Sequence, residues 1–334
     1  MNKLQLKTLK TAMTIIKSAN RYDKRLPLLN SALIETGSIT FTSIDLLITL
    51  DIDIPCTESI CIPLDSISTA LKVSSDLAIT RDGEEYIING LRTATYPATD
   101  FPYPPMNFYD ETHTLNIDAI KRCAPAMAKQ DPRYYLNGML FDYAKGNLVA
   151  ADGHRLHIMM SQFDNGAGAD IIHCDTVHAM IKLGATSIQR GGSHSRVTFP
   201  GGTIITKHVE GEFPDYERAM PKVADLPHSS PIVAKTLEAI KFAHAVSQSN
   251  LKPVTLDFDA GVATSKDCYA GYDTCLHGKG KFHAQGQYLI DAFAQTNADD
   301  AFLHYADIGN TGAIQEALLI QNGIFNAVVM PLRA

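Results

Sequence analysis

Three short helical stretches recur along the chain at a nearly constant interval: LDSISTALKV near 64–73, DTVHAMIKL near 175–183 and QYLIDAFAQT near 287–296. Their starts at 64, 175 and 287 give a period of about 111 residues in a chain of 334. That is too long for a solenoid, whose units run roughly 20–50 residues, so the repeat divides the chain into similar domains. Each of these helices is preceded by another amphipathic helix and a group of strands. The first set is LQLKTLKTAMTIIKSAN with LPLLNSALIETGSITFTSIDLLITLDI. The second is IDAIKRCAPAMAKQ with YYLNGMLFDYAKGNLVAADGHRLHIMM, and the third KTLEAIKFAHAVSQS with VTLDFDAGVATSKDCYAGYDT. The helices show apolar residues at three- and four-residue spacing, and the strand pairs are broken by Gly- or Asp-containing turns. A further strand group closes each repeat. Strands outnumber helices, so the class is α+β. The boundaries expected are 1–111, 112–228 and 229–334, with linkers at 103–113 and 223–231, where Pro and turn formers gather.

Composition narrows the function. The net charge of −7 argues against a protein coated in positive charge, but leaves room for local basic faces. On the first helix Lys3, Lys7, Lys10 and Lys17 fall within about an 80° arc beside the apolar stripe Leu6, Leu9, Met13 and Ile16. Lys121, Arg122 and Lys129 cluster similarly in the second repeat. The six cysteines, at 56, 61, 123, 174, 268 and 275, lack zinc-ligand spacing and read as idle thiols in a reducing cytoplasm. Lys7, Lys10 and Lys17 interrupt the apolar residues of the first segment, so it does not read as a signal peptide. No run approaches the roughly 18 apolar residues of a membrane span. A cytoplasmic protein with no membrane partner is expected.

Within VAADGHRLHIMM, apolar strands flank a polar knot, Asp152-Gly153-His154-Arg155. Aligned by pattern, Ser43-Ile44-Asp45-Leu46-Leu47-Ile48 stands opposite Ala150-Ala151-Asp152-Gly153-His154-Arg155, and the third repeat offers Thr264-Ser265-Lys266-Asp267. Only the middle copy carries Gly-His-Arg, which a folding role alone does not require. A general base would need an orienting partner and a nucleophile. No GxSxG, HExxH, P-loop or convincing GxGxxG is present, so neither a catalytic residue nor a metal ligand is assigned.

Four motifs, QDPRYYLNGMLFDY, LVAADGHRLHIMM, EGEFPDYERAMPK and AVVMPLRA, occur in that order. Together with LPLLNSALI and TATYPATDFP they resemble the bacterial sliding clamp family, the beta subunit of DNA polymerase III, over essentially the whole chain. The resemblance implies three similar domains, each of two helices packed on antiparallel sheets. Two chains would close head to tail into a six-domain ring around duplex DNA. It also implies a processivity factor and not an enzyme, without cofactor, which tethers the replicative DNA polymerase and is placed by an ATP-driven clamp loader.

By the same resemblance, a hydrophobic pocket between the second and third domains takes short peptides from the polymerase, the loader and other clamp-binding proteins. The matching residues are Leu136, Ala151, Gly153, His154, Arg155, Leu156, Pro214, Arg218 and Ala219, with Val328, Val329, Met330, Pro331, Leu332 and Arg333 from the tail. Their chemistry suits apolar anchors: Val, Leu and Met line a cleft, Gly153 permits close backbone approach, and Met330 adapts to several partners. Arg155 and Arg218 would hold peptide carbonyls or carboxylates. DNA contacts are implied at Lys24, Arg25, Gln130, Arg133, Tyr134 and Tyr135, and dimer contacts at Leu91, Thr93, Ala245 and Val246. Ala151 stands where the family often has Thr, and Ala245 and Val246 replace larger aliphatics, so a wider pocket and a weaker ring closure are expected. Two other readings stay open: a clamp-derived decoy that keeps the pocket without a ring, and an enzyme using His154.

Overall fold

The computed structural model describes residues 1–20, 26–56, 58–83, 85–104, 107–164, 166–265, 268–296, 300–308 and 313–332. The first repeat runs α1 (Lys3–Ala19), β1 (Ser31–Glu35), β2 (Ser38–Thr42), β3 (Leu46–Leu50), β4 (Ile60–Pro63), α2 (Leu64–Val73), β5 (Ile79–Asp82), β6 (Glu85–Ile88), β7 (Leu91–Thr93) and β8 (Tyr96–Pro97). The second runs β9 (Phe108–Thr114), α3 (Ile117–Cys123), β10 (Gly138–Asp142), β11 (Asn147–Ala151), β12 (Arg155–Met159), β13 (Ala169–His173), α4 (Cys174–Leu183), β14 (Ser187–Gly191), β15 (His194–Phe199), β16 (Gly202–Lys207) and α5 (Tyr216–Ala219). The third runs β17 (His228–Pro231), α6 (Ala234–Val246), β18 (Pro253–Asp257), β19 (Val262–Ser265), β20 (Cys268–Asp273), β21 (Lys281–Gln285), α7 (Gly286–Phe293), β22 (Ala301–Tyr305), β23 (Leu318–Asn322) and β24 (Phe325–Val329).

One pattern is used three times: a helix, four strands, a second helix and three strands. The four strands take the same spatial order in every copy: β4-β1-β2-β3, β13-β10-β11-β12 and β21-β18-β19-β20. The last three form the meanders β5-β6-β7, β14-β15-β16 and β22-β23-β24. The pairings in the first and third four-strand groups, in β10-β11-β12 and in the three meanders are antiparallel.

The repeats share sheets. The last strand of the second meander, β16, pairs antiparallel with β3 of the first repeat, with Thr206 opposite Leu46. The last strand of the third meander, β24, pairs with β12 of the second repeat in the same way, with Val329 opposite Arg155. These junctions create a nine-stranded and an eight-stranded sheet. The two compact units follow the shared sheets: one holds residues 1–117 and 172–209, the other 118–171 and 210–334. The expected linkers are structured. Residues 103–113 include most of β9, the edge strand paired with β14, and 223–231 end in β17, the edge strand paired with β22. An edge strand exposes one row of its backbone and tolerates polar residues and Pro, so FYDETHT and HSSP carry little strand signal.

Local chemistry explains the framework. Asn2 caps α1: its Oδ1 accepts from the Gln5 amide at 2.8 Å, while Gln5 Oε1 accepts from the Asn2 amide at 3.0 Å. Leu9, Ala12, Met13 and Ile16 of α1 are buried, which leaves the lysines on the other face. At the β3·β16 seam Leu33, Leu47, Cys61, Phe101 and Ile205 form one buried cluster. Each large aliphatic there contributes about 1.5–3 kcal/mol by leaving water. No helix among the described residues is long and apolar enough to cross a membrane.

Candidate functional site

The polar knot is a tight turn between β11 and β12. Asp152 Oδ1 accepts from the amides of His154 at 2.9 Å and Arg155 at 3.0 Å, so one carboxylate satisfies the turn. Gly153 sits at φ +87°, where a Cβ would lie 2.9 Å from the Arg133 guanidinium nitrogens. Arg155 is only 9 % exposed and its guanidinium is committed: it bonds Asp152 at 3.1 Å, Asp291 of α7 and the Pro125 carbonyl, and lies 4.5 Å from the Tyr288 ring centre. These contacts engage the guanidinium within the chain, at the edge of the groove described below. His154 points outward and stacks on Tyr288 at 6.1 Å.

Strand geometry also corrects the alignment of the knots. β2 ends at Thr42 and β3 starts at Leu46, while β11 ends at Ala151 and β12 starts at Arg155. The equivalent turns are thus Ser43-Ile44-Asp45 and Asp152-Gly153-His154, two residues from the pattern alignment. Ser43 Oγ accepts from the Leu46 amide at 3.1 Å, as Asp152 does from Arg155. In the third repeat Ser265 ends β19, and Lys266 and Asp267 lie outside the described residues.

Beside the knot, within the second unit, opens a groove of about 750 Å³. Ten of the residues expected there line it: Leu136, Ala151, Gly153, Arg155, Leu156, Pro214, Arg218, Ala219, Val328 and Met330. Val329 is fully buried on the other face of β24, and His154 lies outside the lining. Pro331 and Leu332 follow the strand without lining the groove, and the Leu332 amide donates to the His283 carbonyl at 2.7 Å. Arg333 lies outside the described residues. Met330, 46 % exposed, is fixed through its backbone, its amide donating to the His154 carbonyl at 2.9 Å.

The sequence reading missed much of the opposite wall, including Phe213, Tyr216, Pro221, Lys222, Leu226 and Ala317. Tyr216 anchors that wall: its hydroxyl donates to Asp142 at 2.8 Å and accepts from Asn147 at 3.1 Å. Burial pushes its pKa up, and so does the Asp142 carboxylate. The repeated Phe-Pro of DFPYPP and EFPDYE was the available signal.

Of the expected DNA contacts, Gln130 and Tyr134 are exposed and Tyr135 is half-buried. Arg133 instead lines the groove, held by Asp131 at 2.8 Å and donating to the Asp152 carbonyl at 3.1 Å. The Arg133 side chain holds the Asp131 carboxyl down at about 2. Lys24 and Arg25 lie outside the described residues. Within the first unit, Lys3, Lys7 and Lys10 of α1 are joined by Lys182 of α4 along one trough. Lys17 leaves that set, paired with Asp65 at 2.8 Å. Arg122 turns inward, bonding Asn322 at 2.9 Å and the Gln295 carbonyl, and Lys121 pairs with Asp118 at 3.0 Å, so these two do not form the expected free basic cluster.

Two of the sheet edges lie at the expected dimer contacts. β7, with Leu91 and Thr93 half-buried, ends the three-stranded sheet, and β20 ends the four-stranded one. Near β20, Ala245 is exposed and Val246 half-buried at the end of α6. The larger apolar surface belongs to residues the sequence reading did not name: Phe242 and Tyr272, 39 % and 37 % exposed, pack with ring centres 3.7 Å apart.

Of the described thiols Cys61 and Cys123 are buried, and Cys56, Cys174 and Cys275 are half-buried. Burial pushes Cys61 up to about 11 and raises Cys123 as well. His173, Cys174 and Asp175, three consecutive residues, bring ligand atoms within 4.8 Å of one another at the start of α4.

The repeated helix-and-sheet architecture is the DNA clamp fold, with which solved structures agree across the chain. A sliding clamp from Pseudomonas aeruginosa bound to griselimycin superposes with a TM-score of 0.81 at 21 % identity, covering 98 % of both chains. A Caulobacter crescentus beta sliding clamp superposes at 0.82 and 20 %, covering 98 % of this chain and 97 % of that one. In sequence, residues 112–215 match the family model for the central domain of the DNA polymerase III beta subunit. The beta sliding clamp of Pseudomonas putida is 29 % identical over 268 residues, 72 % of this chain and 70 % of that protein. Sequence and fold together support a divergent member of the beta sliding clamp family of DNA polymerase III.

Proposed function

We propose that the chain acts as a three-domain sliding clamp, with domains at 1–111, 112–228 and 229–334, closing head to tail with a second copy into a ring around duplex DNA. One observation carries this reading. The last meander strand of repeats two and three pairs with the third strand of the preceding repeat, β16 with β3 and β24 with β12. The same rule leaves β7 and β20 as the unmatched pair, and both are sheet edges. Pairing β7 of one copy with β20 of another extends the rule and gives a heterologous contact that closes on itself. Phe242 and Tyr272 supply apolar area at that edge.

The lysine trough of α1 and α4 supplies phosphate contacts that attract duplex without reading bases, as sliding requires. The Val328–Met330 groove docks short apolar peptides of the polymerase, the loader and other partners. Sedimentation velocity from nanomolar to micromolar concentration tests the ring. A dimer of two 36.4 kDa chains is expected, weakened by Phe242→Asp. A chain that stays monomeric at micromolar concentration sinks the ring.

A further inference from the structure

The groove beside Met330 has a counterpart built from equivalent positions in the first unit. Leu46 faces Thr206 as Arg155 faces Val329, so Ile205 occupies the place of Val328. The Lys207 amide donates to the Asp45 carbonyl at 2.9 Å, as the Met330 amide does to His154. Ser195 faces Thr206 as Leu318 faces Val329, which puts His194 where Ala317 stands. Leu29 in the 3-10 turn before β1 matches Leu136 in the one before β10, and Pro102 after Phe101 matches Pro214 after Phe213. Leu29, Ile205, His194 and Pro102 all line one cavity of about 360 Å³.

This cavity differs from the larger groove in size and charge. Leu26, Ile44 and Tyr103, which are 51 %, 71 % and 48 % exposed, are all part of its lining. Large apolar side chains gathered at a concave site mark surface that a partner covers. The lining carries two exposed carboxylates, Asp45 and Asp100, and no Lys or Arg among the described residues, with Lys207 standing outside it. The larger groove is lined by Arg133, Arg218 and Lys222 as well as acidic groups.

We propose that the first-unit groove is a second peptide-docking site, taking a short linear segment with two apolar side chains flanked by Lys or Arg. The inference rests on reading the Met330 groove as a peptide site. Half the volume suits a shorter anchor, and Asp45 and Asp100 favour a cationic flank.

The test uses the full chain and two labelled peptides, Lys-Leu-Ser-Ser-Phe and Glu-Leu-Ser-Ser-Phe, followed by fluorescence anisotropy. Met330→Glu blocks the larger groove, and Ile44→Arg, at a highly exposed position, blocks the smaller one without disturbing the core. The Lys peptide is expected to bind the Met330→Glu chain, and adding Ile44→Arg weakens that binding at least tenfold. Binding that vanishes with Met330→Glu alone, or that ignores Ile44→Arg, overturns the second site. If Met330→Glu changes nothing while Ile44→Arg weakens binding, the second site stands and the reading of the Met330 groove fails. Equal affinity of the Met330→Glu chain for the two peptides overturns the assignment of a basic segment.

Discussion

The turn at Ser43–Leu46 and the turn at Asp152–Arg155 share one backbone hydrogen bond, from the first amide to the fourth carbonyl, and an oxygen cap on the fourth amide, yet differ in φ at the second position and in every side chain. In the first unit a hydroxyl caps the turn, Ile44 faces water and Leu46 is buried among apolar neighbours. In the second, Asp152 caps the turn and Arg155 ties it to Asp291 and Pro125, elements distant in sequence. The scaffold demands an oxygen acceptor at the first position, and the remaining positions are open to other uses. The second unit uses them to fix the wall of its larger groove.

Removing the tie is the strongest way to break this contrast. Arg155→Ala leaves Asp152 and Asp291 without their cation, at a cost of about 3–5 kcal/mol. Hydrogen exchange should show that loss at the amides of β11 and β12 while β2 and β3 stay protected; equal protection in both units would make the tie a bystander.

Acid should separate the repeats next. His157, where the first repeat has Ile48, is fully buried, and that burial lowers its pKa to about 4. Its Nδ1 lies 2.9 Å from the Arg122 carbonyl. Because the folded imidazole takes up its proton less readily than the unfolded one, it contributes stability above about pH 6.5 that is lost as pH falls toward 4. The full loss is on the order of 3 kcal/mol. His157→Ile should flatten that part of the stability–pH curve; an unchanged slope assigns the acid sensitivity to other groups.

Gly153→Ala forces a side chain into positive φ and against Arg133, costing about 2 kcal/mol. A variant as stable as the parent in thermal unfolding would show that the turn relaxes freely. The smallest effect belongs to Ser43→Ala, which removes one acceptor from a half-exposed turn for less than about 1 kcal/mol. A larger drop in unfolding midpoint would mean that the two turns are alike in weight.

Periodicity made the repeat visible, because helices with buried faces such as Leu9, Met13 and Ile16 advertise themselves locally. The groove's Gly153, Leu156, Pro214 and Met330 were legible for a different reason: they lie in long motifs that resemble a known family. Sharing of sheets between repeats was hidden, since which strand lies beside β3 depends on a partner more than a hundred residues away. Arg155 looked free for the same reason; Asp291 is 136 positions further along. Phe242 did not stand out because nothing local says which face of α6 meets solvent; its packing on Tyr272 places it at the edge.

The junctions of β3 with β16 and of β12 with β24 also bear on how the chain reaches its native state. Neither the first nor the second repeat completes the sheet built on its own four strands. The row of amides along β3 or β12 stays bare until the next repeat has delivered its last strand. Contacts so far apart in sequence form slowly, and a bare edge meanwhile recruits whatever strand is nearest. Refolding of this chain should therefore be slow and concentration-sensitive, and a fragment cut after the first repeat should aggregate through β3.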